Sequence, residues 1–183
     1  MKVSLKSAFP AIVCFLIFSL SMSCGEKEHP KDEKLIEIYQ SHKNEFNQLL
    51  QMFQEDKSLG RVAPEFTRTA NFFEECKAPN IWNGKNIEIG EARLSEYRKL
   101  FSLLELPAGI EGYCEKDIIL FYASTKGLSV TGSSKGFAYL EEMPTGNLKI
   151  VENLDNYWSS DGKSFRAFRR IEGNWYLYFD YED

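Results

Sequence analysis

The sequence predicts an α+β domain in which two helices pack on a meandering antiparallel sheet. Three observations carry that prediction. Two stretches, 35–57 and 89–106, repeat apolar residues three, four and seven apart, the signature of one helical stripe. From Gly109 onward the apolar period changes to two, as in strands exposed on one face. Turn-forming residues recur between those short apolar runs.

The first helix carries Leu35, Ile38, Tyr39, Phe46, Leu49, Leu50 and Phe53 on its stripe, with His42 at the same spacing. A histidine on such a face is expected to pack rather than to catalyse. Ser58-Leu59-Gly60 ends the helix, and Gly60 suits a cap. The stretch 61–86 has no clean period and is interrupted by Pro64 and Pro79. It reads as one short strand over 64–69 followed by an irregular segment. The second helix presents Leu94, Tyr97, Leu100, Phe101 and Leu104. Glu91 lies near its positive end and Pro107 forbids its continuation.

Seven strands are then expected, over 110–114, 117–124, 127–131, 137–141, 148–151, 165–171 and 175–181. The expected joints are Lys126-Gly127, Ser134-Lys135-Gly136, Thr145-Gly146-Asn147 and Glu172-Gly173-Asn174. Ile118 to Tyr122 is apolar on both faces, which suits a central strand. In the last strand Trp175, Leu177 and Phe179 share one face, and Tyr176, Tyr178 and Asp180 the other.

The N-terminus has a different character. Lys2 and Lys6 precede an apolar run over 9–20, then small residues and Cys24. That order is a secretory signal peptide. The run is shorter than the ~18 residues a membrane-spanning helix needs. The segment Leu20-Ser21-Met22-Ser23-Cys24 resembles a bacterial lipobox, although Ser21 stands where leucine is commonest. The resemblance implies cleavage before Cys24 and lipidation, including palmitate, of that cysteine. It places the protein on a bacterial membrane; Gly25 in place of aspartate after the cysteine favours the outer membrane, facing the periplasm. A plain signal peptide cut nearby is the alternative. The chain thus divides into a signal at 1–23, a polar lipidated tether at 24–34 that carries His29, and a globular domain at 35–183.

Removal of residues 1–23 leaves 20 basic and 27 acidic residues, a formal charge of −7. That balance argues against nucleic acid, which needs a concentrated basic face. Cys14 leaves with the signal and Cys24 takes lipid, so Cys76 and Cys114 remain in an oxidising compartment. A Cys76–Cys114 disulfide would close a loop of about 38 residues and contribute about 3–4 kcal/mol in the chain-entropy picture. Two separate buried thiols are the alternative. The two histidines, His29 and His42, lie far from both cysteines, so no metal site is expected, and no cofactor signature is present.

The C-terminal half resembles an uncharacterised family of small bacterial lipoprotein-type proteins. The resemblance rests on Glu96 to Phe101, Ala123 to Leu128, Gly132-Ser133-Ser134-Lys135-Gly136-Phe137-Ala138-Tyr139, Asn153-Leu154-Asp155 and Phe168 to Tyr178, which ends in Gly-Asn-Trp-Tyr-Leu-Tyr. It implies a fold and lends no activity to any residue.

Candidate chemistry is sparse. Ser133, Ser134 and Lys135 between two glycines have the composition of an anion cradle, or of a Ser–Lys pair if the lysine is buried. The preferred reading is an exposed hairpin turn. Arg169 and Arg170, with Arg166, offer a partner or anion surface, against the commoner outcome of cross-strand pairing with acids. Glu141-Glu142 and Asp155 are the carboxylates one would nominate for hydrolysis, with nothing local to oppose them. The function expected is therefore a lipid-anchored, non-enzymatic domain that binds a periplasmic protein, in concrete form an immunity-type inhibitor. An envelope-acting enzyme and a small-ligand binder are the rivals.

Overall fold

The computed structural model describes residues 28–56, 59–64, 67–68, 89–113, 118–128, 131–141, 149–157 and 163–183. Cys24, Cys76, Cys114 and the expected joint at 145–147 lie outside them. The α+β architecture is as expected. Among the described residues the helices are α1 (Asp32–Ser41), α2 (Lys43–Glu55) and α3 (Glu91–Leu103). Its strands are β1 (Arg61–Val62), β2 (Thr67–Arg68), β3 (Ile110–Tyr113), β4 (Ile118–Leu128), β5 (Thr131–Leu140), β6 (Lys149–Ile150), β7 (Phe165–Glu172) and β8 (Trp175–Glu182).

The single expected N-terminal helix is two. His42 leaves helical geometry, with φ −131° and ψ 31°, and its N–H is shared between the carbonyls of Ile38 and Tyr39. The break lets Tyr39 and Phe46 lie against the same indole: their rings are 5.4 and 5.6 Å from that of Trp175. Phe46, 4.6 Å from Phe137 and 5.9 Å from Phe121, is the hub where helices meet sheet. Helix α3 ends in a left-handed turn at Glu105 (φ 53°), after which the Leu106 N–H returns to Phe101 O at 2.8 Å.

The sheet order is β2, β1, β3, β4, β5, β8, β7, β6. Strands β3, β4 and β5 meander. The chain then reaches the far edge at β6 and works back inward, so that β8 pairs with β5. Strand β6 pairs with β7 in parallel, and among the described residues every other pairing is antiparallel. Ile118 to Tyr122 does lie centrally, in β4. Trp175 and Leu177 join the core under the helices, while Tyr176 and Tyr178 join Ile118, Leu120, Tyr122, Ala138, Leu140 and Phe168 in a second buried cluster on the opposite face.

Two expected joints are not turns. Lys126-Gly127 lies inside β4, and Ser134-Lys135-Gly136 lies inside β5, so the separate strand over 127–131 does not exist. The strands run on until Leu128 pairs with Thr131. Composition misleads here because Gly136 serves close approach and not chain reversal: a Cβ there would sit 2.0 Å from Phe121 O. Gly136 faces an irregularity in β4, where the register slips between Tyr122 and Ser124 and leaves Ala123 as an extra residue. The turn at Gly173 is as expected, with φ 52°.

Candidate functional site

The extra residue Ala123 changes which way β4 points. Before it, Ile118, Leu120 and Tyr122 face away from the helices. After it, Ser124 faces towards them, beside Ser133 and Lys135 of β5. This end of the sheet receives the chain ahead of α1. His29 Nδ1 lies 2.6 Å from Ser124 Oγ and Nε2 lies 2.8 Å from Ser133 Oγ. Its ring also meets Phe179 edge-on at 5.5 Å. In the neutral imidazole one nitrogen donates and the other accepts, and a hydroxyl can answer either role. Burial, with Lys126 and Lys135 nearby, pushes the His29 pKa down to about 4.

Three residues on, Asp32 opens α1 fully buried. Its carboxylate accepts from Leu154 N–H at 2.8 Å and from Arg169 at 2.9 Å, and lies 2.7 Å from Lys135 Nζ. Lys135, only 2 % exposed, also reaches Asp155 Oδ1 at 2.5 Å. The clasp is reciprocal: the Asp32 N–H donates to Asp155 Oδ1 at 3.0 Å. Asp155 thereby satisfies a free N–H in the first turn of α1, where Lys31 supplies no side-chain cap. Asn153 holds that turn by accepting the Asp155 N–H at 2.8 Å. Burial alone would raise the Asp32 pKa. The bonds from Leu154, Lys135 and Arg169 outweigh it and hold the carboxyl below its usual range.

The expected tether to Lys34 is thus part of the domain from His29 onward, and His29 is not a solvated linker residue. Ser133 and Lys135 do come together with Arg169, but inside this clasp and not on an exposed turn. Ser134 points to the other face, opposite Asp180. Arg170 is exposed there and donates to Gly173 O at 3.4 Å, and Arg166 pairs with Asp180 across the strands. The three arginines therefore do not make one surface. Asp155 meets a second carboxylate, Asp32, with a lysine lying between them; Glu141 is exposed at the opposite end of β5. Asp32, His29 and Ser124 escaped notice because their partners lie about a hundred residues away; only the Asn-Leu-Asp run at 153–155 hinted at the site.

Chemically, the cluster binds the chain to itself. A Ser–His pair for acyl transfer needs a base near the working pH and a third group to orient it. His29 stays neutral far below pH 7, and its second nitrogen meets another hydroxyl. Among the described residues no group of three or more His, Cys, Asp or Glu is placed to hold a metal, and no helix is long and apolar enough to cross a membrane. No family model, curated protein or solved structure matches the chain.

Proposed function

We propose that the protein is a lipid-anchored bacterial envelope domain, acylated at Cys24, facing the periplasm from the outer membrane, and acting by binding a protein partner. The observation that supports it most is the signal-like start ending in Ser23-Cys24, only a few residues before the point where the chain locks onto the sheet. The cations and carboxylates of the clasp around Asp32 are engaged with each other, which suits a structural role for that cluster. The net charge of −7 on residues 24–183 suits a basic partner, and an immunity-type inhibitor of a periplasm-acting toxin is the concrete form. Cys76 and Cys114 form its disulfide in this reading.

Intact mass of the protein from its host membrane tests the anchor. Residues 24–183 plus acyl chains, with a gain of about 2 Da on reduction, is the expected result. An unacylated chain refutes it. Crosslinking in cells followed by pull-down tests the binding role, and an empty pull-down counts against it. The rival reading, an envelope-acting enzyme, would have to draw on the 2.6 Å approach of Ser124 Oγ to His29. Labelling of Ser124 by a fluorophosphonate would support that second reading.

A further inference from the structure

We infer that the domain is held on the membrane with the Ser124–Ser133 end of the sheet nearer the lipid headgroups than the Gly173–Asn174 turn. The inference rests on the lipid anchor proposed above. Its own basis is the place where the chain is pinned. His29 is bound to Ser124 and Ser133, and Asp32 to Lys135, Asp155 and Arg169. Only Gly25, Glu26, Lys27 and Glu28 separate His29 from Cys24. Fully extended, that leash reaches at most about 18 Å. A domain of this length is roughly 40 Å across. A leash under half the diameter cannot let the opposite end turn to the bilayer.

The opposite end is well defined. Ser133 and Tyr139 are six residues apart on β5, about 20 Å along the strand. Tyr139 pairs with Trp175, next to the Gly173–Asn174 turn. Helix α1 runs the same way: it starts at the Asp32 clasp and reaches Glu172, to which Tyr39 donates at 3.1 Å. Lys43, the first residue of α2, joins Glu172 at 2.5 Å. The pose therefore keeps the α1–α2 junction and the β7–β8 turn on the side away from the bilayer.

The test uses the full lipidated chain in nanodiscs doped with a gadolinium-chelating headgroup lipid, read by amide relaxation. Because the summed effect of a layer of gadolinium lipids falls steeply with distance, Ser124, Lys126 and Ser133, about 20 Å nearer the bilayer, should relax at least about tenfold faster than Gly173 and Asn174. A flexible insert of about 20 residues after Gly25 should flatten that gradient without unfolding the domain. A flat profile in the lipidated wild-type chain overturns the orientation while leaving the anchor intact. A chain whose mass lacks acyl groups overturns the anchor, and the pose with it.

Discussion

Replacing Asp32 by Asn takes the negative charge from the centre of the clasp while keeping its shape. Asp32 is fully buried, with Lys135 at 2.7 Å and Arg169 at 2.9 Å. Removing one member of a buried charge cluster costs about 3–5 kcal/mol, because the other member stays buried. Two features moderate that figure. Lys135 keeps Asp155, and the Arg169 side chain is 24 % exposed and can turn to water. The expected loss is therefore about 3 kcal/mol, or about 6–12 °C in melting temperature for a domain of this size. Urea unfolding followed by tryptophan fluorescence measures it, since Trp175 sits in the core. The double variant Asp32→Asn/Lys135→Met should lose less than the sum of the two singles, by at least about 1 kcal/mol. A single-variant loss under about 1 kcal/mol, or strict additivity, would refute the claim that Asp32 and Lys135 are one energetic unit.

His29 makes stability depend on pH. Its folded pKa, about 4, lies below the ordinary 6.5, so the unfolded chain binds the extra proton between those values. Its contribution is complete above pH 6.5 and is lost as pH falls to 4, by about 2 kcal/mol after allowance for solvent. Asp32, depressed in the folded state, adds a loss below about pH 4. In His29→Gln the slope between pH 6.5 and 4 should vanish while the lower one persists; an unchanged profile assigns the slope to other groups. Glu105→Gly should stabilise the domain by about 0.5 kcal/mol, because glycine relieves the left-handed residue at the end of α3 and only the exposed Lys34–Glu105 pair is lost. A destabilised Glu105→Gly would contradict that account. Gly136→Ala should cost about 3 kcal/mol, since its Cβ meets backbone at Phe121 and Ala123 and no side chain can yield; wild-type stability in thermal melts would show that the strands can spread.

Period and burial made the centre of the sheet legible. Ile118 to Tyr122 is apolar on both faces because both faces are covered, and the alternation from Trp175 to Phe179 maps directly onto the two clusters. Legibility fails where one residue answers to a distant one. Gly132 to Gly136 has the composition of a turn, but Lys135 is held in a strand by Asp32, more than a hundred residues earlier. Its glycine is needed by the backbone of the neighbouring strand. The polar run before Leu35 reads as a tether for the same reason: no apolar residue marks it, and its contacts are made by a histidine and an aspartate. The break at His42 has no Pro or Gly to announce it. The return of β8 to β5 is a choice among strands of similar pattern, which local periodicity does not rank.

The course of α1 also decides how the domain bears load. Its first residue is held at the Ser133 end and its last turn packs near Trp175, so the helix lies along the strands. A pull on the N-terminus away from that end acts along the helix axis. The ion pairs at Asp32 and the ring contacts of Tyr39 are then strained together in shear and do not peel apart one after another. Such a geometry yields at higher force than an unzipping one, and a covalent leash can be fastened there without loosening the fold it carries.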